Sequence, residues 1–267
     1  MSQNKVRLDV LLVNKGIVES RERAKAEIMC GNVLVNDQIV DKPGTLINVD
    51  STVVLKSKAI PYVSRGGLKL EKALDVFNVQ VEGKIALDAG ASTGGFTDCM
   101  LQRGAKKVYA VDVGYGQLAY KLREDPRVIA IERKNVRYLT LEDIGEQVDI
   151  ITADLSFISL AKVFSTFYSL LKEEGDLITL IKPQFEVGKE DVGKNGVVKD
   201  YQLHVKAIEK VINDARNNNF YIHNLTFSPI KGPKGNIEYL SHFRKRPQAV
   251  VAIQVEDVVK KSHLELN

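Results

Sequence analysis

An α/β fold is what this sequence predicts: a mostly parallel sheet covered on both faces, its last strand antiparallel, with a small α+β domain ahead of it. Three observations carry that expectation. From about residue 68, short and nearly continuous apolar runs alternate with helical patterns. That is the grammar of parallel strands with helical crossovers. Near the end, "FYIHNLTFSP" and "NIEYLSHFRK" flank the tight "IKGPKG", which reads as a closing antiparallel hairpin. Residues 5–58 follow another rule, two short helices and then a small sheet.

In that first unit, "RLDVLLVNKG" puts Leu8, Leu11 and Leu12 at helical spacing, and Gly16 can stop the helix. Ser20 is a candidate N-cap for "ESRERAKAEIMCG", whose stripe is Ala24, Ile28 and Met29, and Gly31 ends it. "NVLVNDQIV" alternates around Asn36-Asp37, a hairpin signal, and "TLINVDSTVVLK" supplies more strand. The unit is too small to hold an active site comfortably. Its cations gather on the helices: Lys5, Arg7, Lys15, Arg21, Arg23 and Lys25. Charge runs usually only solubilise. Here, however, Arg7-Leu8-Asp9, Ser20-Arg21, Ala24, Gly31, Val33, Val35 and Asn36 resemble the RNA-binding module of small-subunit ribosomal protein S-four. The resemblance implies that these six cations, with Arg65 beyond them, meet RNA phosphates.

Residues 59–66, "AIPYVSRG", read as a linker, stiffened by Pro61, with Gly66-Gly67 breaking periodicity. The expected divisions are therefore 1–58, 59–66 and 67–267. Five strands are expected at "KIALDAG" (84–90), "KVYAVDVG" (107–114), "VIAIE" (128–132), "VDIITADL" (148–155) and "DLITLIK" (176–182). The clearest helix between them is "LAKVFSTFYSLLKEEG" (160–175).

"ALDAGASTGGFTD" (86–98) is strand, glycine turn, helix. It lacks the G-x-G-x-x-G of dinucleotide sites and the Lys-Ser/Thr ending of a phosphate loop. The ligand need not carry phosphate, and S-adenosylmethionine fits. Small residues Ala91, Ser92 and Thr93 let a ligand press on the backbone. Asp88 would face its methionine part through the loop or a water. Asp112, ending the next strand, can accept both ribose hydroxyls. The expected cofactor set is Asp88, Gly90, Ala91, Ser92, Thr93, Gly94, Phe96, Asp112 and Val113.

Four charges sit in apolar frames: Lys69 beside Leu70, Ala73, Leu74 and Phe77; Asp154 after the fourth strand; Lys182 after the fifth; and Glu238 in the last. The carboxyl ends of parallel strands open onto one crevice, so Asp154 and Lys182 share that rim. Each alone has an ordinary explanation. Asp154 could cap a helix, Lys182 could snorkel to solvent, Lys69 could lie at the surface, and Glu238 could pair with a neighbouring cation.

The 267 residues are 44 % hydrophobic and 27 % charged, as in an ordinary soluble globular protein, with a net charge of +4. Two distant cysteines, Cys30 and Cys99, make no disulfide framework, which suggests a reducing cytoplasm. Four scattered histidines offer no cluster, so no metal is expected. No run reaches the roughly 18 apolar residues of a spanning helix, so no membrane partner is expected. Oligomeric state is not legible.

"VSRGGLKL", "LDAGASTGGFTD", "DVGYGQLA", "DLSFISL", "KPQFEVGK" and "GNIEYL" together resemble the TlyA family almost end to end, departing at Tyr62, where relatives often place tryptophan. The resemblance implies a Rossmann-like methyltransferase sheet of the FtsJ type, S-adenosylmethionine, a ribosomal RNA partner and ribose 2′-O-methylation, with cytidine as target. It also implies a Lys-Asp-Lys-Glu tetrad, carried onto Lys69, Asp154, Lys182 and Glu238. Lys182 would be the base, Lys69 would position the hydroxyl or phosphate, Asp154 would steer Lys182, and Glu238 would orient either lysine. A desolvated lysine near a second cation loses its proton more readily, and two lysines on one rim supply that condition. "EVGKEDVGKNGVVKD" (186–200) reads as a mobile loop or a lid. Lys231, Lys234, Arg244, Lys245 and Arg246 would extend the RNA surface. The alternatives are a base methyltransferase, opposed by "DLSF" in place of a proline-rich amine site; a membrane-lytic hemolysin, a label the family often carries; and a non-catalytic RNA-binding factor.

Overall fold

A computed structural model describes residues 4–29, 31–56, 60–247 and 253–266. Cys30 and the expected boundary at 58–59 fall outside them. The chain divides into two compact units, Met1–Gly67 and Leu68–Asn267.

The first unit contains β1 (Lys5–Arg7), α1 (Leu8–Asn14), α2 (Arg21–Met29), β2 (Val33–Val35), β3 (Gln38–Ile39), β4 (Leu46–Asn48) and β5 (Val53–Leu55). β1 pairs with β4, and β3-β2-β5 form a second antiparallel sheet. Ser20 Oγ accepts the Arg23 N–H at 3.1 Å, capping α2. Asn36 and Asp37 have φ of 48° and 65°, the left-handed pair that a two-residue hairpin turn requires. Leu8, Leu11, Leu12, Ala24, Ile28, Val33, Val35 and Val53 make the core. Beneath it lie two buried carboxylates, Asp9 and Glu27.

The stretch expected as a linker is docked on α2 by hydrogen bonds. Glu27 accepts the Ile60 N–H at 2.8 Å, and Arg23 donates to the Tyr62 carbonyl at 2.6 Å. Gly66 and Gly67, expected to break periodicity, instead open a helix, α3 (Gly66–Phe77). A Cβ on Gly67 would collide with the Tyr62 side chain, so close approach explains that glycine.

In the second unit follow β6 (Ile85–Ala89), α4 (Gly95–Gln102), β7 (Lys107–Val111), α5 (Tyr120–Arg123), β8 (Val128–Ile131), α6 (Leu141–Ile144), β9 (Val148–Ala153), α7 (Phe164–Leu170), β10 (Leu171–Ile181), α8 (Pro183–Glu186), α9 (Tyr201–Asn217), β11 (Tyr221–Phe227), β12 (Tyr239–Arg244) and α10 (Val255–Leu266). The sheet order is β11-β12-β10-β9-β6-β7-β8. β10, β9, β6, β7 and β8 are parallel, and β12 runs antiparallel to both neighbours. One core takes in Leu87, Ile151, Phe164, Phe167, Ile181 and Phe243.

The expected helix 160–175 is shorter than the sequence suggests. A 3-10 turn, Leu160–Lys162, precedes α7, and the chain turns to strand at Leu171, which pairs with Val148. A register shift between Leu171 and Asp176 takes up the polar "KEEG" that lent the helical pattern its tail. Glu238 lies one residue before β12, not within it.

Candidate active site

Parallel strands bring their carboxyl ends to one edge of the sheet. β6, β7, β9 and β10 end there, delivering the 90–94 loop, Asp112, Asp154 and Lys182. Because β12 is antiparallel and Tyr239 pairs with Ile181, the start of β12 lies at the same edge and brings Glu238. α3 packs along β12 and β11: Phe77 stacks on His242 of β12 at 5.6 Å, and Lys72, nearer the edge, lies over the Phe227 ring of β11 at 3.8 Å. Its buried stripe of Leu70, Ala73, Leu74 and Phe77 turns Lys69 inward.

The four charges form one row. Lys182 Nζ lies 2.6 Å from Asp154 Oδ1, Lys69 Nζ lies 3.8 Å from Asp154 Oδ2, and Lys69 Nζ donates to Glu238 Oε2 at 2.6 Å. Lys69 is 5 % exposed and Glu238 1 %. Two lysines and two acidic side chains alternate along the row, so each buried polar group has a partner of the opposite type. Burial pushes the Asp154 carboxyl up, but the charges of Lys69 and Lys182 outweigh it and hold it below the usual carboxylate range. Lys69 is closed between two carboxylates, whereas Lys182 also donates to Ser156 Oγ at 2.9 Å.

Sequence reasoning missed several supports. Ser156 gives no pattern signal. Glu186 follows Lys182 by four residues, in α8; it accepts from Ser159 Oγ at 2.6 Å, the Leu160 N–H at 2.8 Å and Lys210 Nζ at 3.1 Å. It ties the end of the 154–160 loop to α8. Gly232 has no Cβ because one would collide with Glu238 Oε1. Phe157 is 88 % exposed with φ of 63°, and its ring lies 5.2 Å from that of Phe185. An exposed phenyl on strained backbone is costly unless something uses it.

The glycine loop is held on both sides. Gly90 and Ala91 N–H donate to the Val111 carbonyl at 2.9 and 3.1 Å. A Cβ on Gly90 would come 2.7 Å from the Asp154 carbonyl oxygen, so this glycine serves loop-to-strand packing. Ser92 and Thr93 stand exposed at the lip, while Ala91 and Gly94 are buried. Asp112 is half-buried; Oδ2 accepts the Ser92 N–H at 2.8 Å and Oδ1 the Gly114 N–H at 2.7 Å. Val113 is exposed beside it. Phe96 packs inward beneath the loop. Asp88 lies behind the loop: it is fully buried, accepts from Thr97 Oγ1 at 2.6 Å and braces the start of α4. Burial pushes its carboxyl up to about 7, against the Thr97 hydrogen bond.

In the first unit, Arg7 and Arg21 both grip Asp9, at 2.9 Å each. Two guanidinium groups are thereby oriented while remaining about half exposed. Arg23 is turned inward, paired with Glu27 at 2.9 Å and bonded to Tyr62, so its fork is spent inside the unit. Lys5, Lys15 and Lys25 are exposed, and Arg65 is half-buried.

A family model for FtsJ-like methyltransferases matches residues 62–245, and one for the S4 domain matches 6–53. The chain is 44 % identical to the 16S/23S rRNA (cytidine-2′-O)-methyltransferase TlyA of Mycobacterium tuberculosis, over 97 % of each chain. The chain belongs to the TlyA family of FtsJ-like methyltransferases. Another relative carries the name Hemolysin A, from Brachyspira hyodysenteriae, at 45 % identity over 89 % of this chain and 99 % of that one. A solved structure from Streptococcus thermophilus, whose name also contains the word hemolysin, matches with a TM-score of 0.79 at 45 % identity, covering 99 % and 98 % of the two chains. TlyA membership makes the chain a methyltransferase with an S4 domain ahead of its catalytic sheet. Among the described residues, no helix is long and apolar enough to cross a membrane.

Proposed function

We propose that this chain methylates the ribose 2′-hydroxyl of a cytidine in ribosomal RNA, with S-adenosylmethionine as donor and Lys182 as general base. The observation that carries the reading is the row Lys182–Asp154–Lys69–Glu238 at the sheet edge that also holds the 90–94 loop.

The residues at that edge fit the donor. Acidic Asp112 and Asp154 suit a cationic ligand that carries a diol, and each Asp112 oxygen keeps a lone pair beyond its backbone N–H. The exposed lip at Ser92 and Thr93 leaves backbone open to a close-lying nucleoside. When bound, S-adenosylmethionine supplies an already activated methyl group. The chain's own work is then to align and deprotonate the hydroxyl. Lys182 Nζ, as the neutral amine, would take the hydroxyl proton, and the ribose oxygen so freed would receive the methyl group that the donor supplies. Alignment alone contributes several orders of magnitude, and a positioned base about 10²–10⁴-fold.

Lys182 suits the base role better than Lys69, because Lys69 is locked between Glu238 and Asp154. Asp154 steers Lys182, Glu238 orients Lys69, and Lys69 fixes the field in which the hydroxyl sits. Phe157, with Phe185 beside it, offers an aromatic face for an unstacked base. Lys5, Lys15, Lys25, Arg65 and the Asp9-oriented pair Arg7 and Arg21 would hold RNA phosphates.

The test is methyl transfer from labelled donor to each ribosomal subunit and to assembled ribosomes, followed by mapping. A ribose methyl blocks alkaline cleavage of the adjacent phosphodiester, and a base methyl does not. A lytic reading rests on the name Hemolysin A alone; lysis by purified protein, undiminished by Lys182→Ala, would support it.

A further inference from the structure

The segment 186–200 reads in sequence as a mobile loop or a lid, and in the structure its second half is latched. Gly196 N–H donates to the Gly193 carbonyl at 2.8 Å, and Gly193 N–H to the Val197 carbonyl at 3.2 Å, closing a tight turn. Val198, after that turn, is 3 % exposed. Asn236 holds it from across the crevice edge. Its Oδ1 accepts the Val198 N–H at 3.0 Å, and its Nδ2 donates to the Gly196 carbonyl at 2.8 Å. From the other side, a ring nitrogen of His204 lies 2.9 Å from the Val198 carbonyl oxygen.

Asn236 is buried and lies two residues before Glu238. Its own carbonyl accepts the Gly232 N–H at 2.8 Å, and Gly232 lies against Glu238 Oε1 with no room for a Cβ. A continuous chain of contacts therefore runs from the 193–198 turn through Asn236 and Gly232 to Glu238, and from Glu238 to Lys69. Exposed Lys194, Lys199 and Lys234 stand on the two joined turns. A buried side-chain amide with both ends satisfied holds its partners in one arrangement.

We propose that Asn236 is a positioning residue for methyl transfer: it latches the 193–198 turn to the 230–236 turn and thereby keeps the Glu238 carboxylate on Lys69. The inference rests on the catalytic reading of the tetrad given above. At metal sites, residues that orient a ligand through an outer hydrogen bond carry about 10–100-fold of activity, and an effect of the same order is expected for Asn236. Asn236→Ala removes both bonds and frees the two turns from each other. Asn236→Asp, of the same size, keeps the acceptor for Val198 and loses the donor to Gly196, so it serves if the alanine variant folds poorly.

Two measurements on the full chain decide it. Hydrogen exchange read by mass spectrometry follows the 193–199 and 231–238 peptides separately. Single-turnover methylation of ribosomal subunits reads the chemistry, with donor affinity measured by calorimetry. We expect faster exchange in both peptides and a rate lowered about 10–100-fold, with donor affinity held. Faster exchange confined to 193–199, or a wild-type rate in both variants, overturns the proposal. A wild-type protein that methylates neither subunit contradicts the catalytic reading instead, and the exchange data still decide whether the latch exists.

Discussion

Asp88 is a fully buried carboxylate that forms no ion pair among the described residues. Its hydrogen-bond partners are the Thr97 and Thr152 hydroxyls, and burial pushes it up to about 7. The unfolded chain releases that proton near the model-peptide value of about 3.9. The folded state therefore binds the extra proton between those values, and Asp88 costs stability progressively as pH rises from about 4 to about 7. Asn at this position cannot ionise. Urea unfolding at pH 5 and pH 8 is expected to show Asp88→Asn gaining on wild type at the higher pH; parallel curves would contradict the raised carboxyl. Asp9 runs the other way. Arg7 holds it down to about 2, so its contribution is present above about pH 4 and is lost as pH falls toward 2. The sequence showed these two carboxylates and their neighbours in the chain. It did not show which one would find arginines, because Arg21 lies twelve positions from Asp9 and Thr152 sixty-four from Asp88. Lys182 was legible as a strand-end lysine; Ser156 as its partner was not, since a lone serine carries no pattern.

At the scale of elements, the strands were the most readable feature, since β6, β7, β8, β9 and β10 each fall within or overlap an apolar run. The end of the 160–175 helix was misread because Lys172-Glu173-Glu174 suits a helix locally, while Leu171 pairs with Val148 and fixes the chain as strand. The 230–236 turn was visible from its glycines, but its purpose was not. Gly232→Ala tests that purpose. Its methyl would displace a carboxylate that is buried on Lys69. The expected result is a loss of about ten-fold or more in single-turnover rate with little change in melting temperature; full activity would show that Glu238 tolerates displacement. In the first unit, Glu27 joins α2 to the following chain through Arg23, Asn32 and the Ile60 N–H. Glu27→Ala leaves the buried Ile60 N–H unmet at about 1–3 kcal/mol and removes the carboxylate that Arg23 and Asn32 share. Chemical denaturation of the full chain should lose the S4 unit early, and an unchanged transition would remove Glu27 from that role.

The whole molecule joins a small RNA-binding unit to a sheet whose carboxyl edge gathers every candidate catalytic group. Both fold classes could be read from the sequence; Lys69, Asp154, Lys182 and Glu238 stood out as charges in apolar frames, and only the resemblance to the TlyA family implied that they belong together. What needed coordinates was distance. Lys69 and Glu238 lie 169 positions apart in the chain and 2.6 Å apart at the site, and only the antiparallel insertion of β12 beside β10 makes them neighbours. The same topology gives the two lysines different partners, closing Lys69 between carboxylates and leaving Lys182 at Asp154 and Ser156. One comparison decides whether Lys182 is the base of a ribose methyltransferase. Wild type and Lys182→Ala are given labelled S-adenosylmethionine and ribosomal subunits, and the RNA is hydrolysed in alkali. Wild type is expected to give an alkali-resistant, labelled dinucleotide and Lys182→Ala none, with donor and RNA binding retained in the variant. Equal yield of that dinucleotide from both proteins, or label found only on bases, would contradict it.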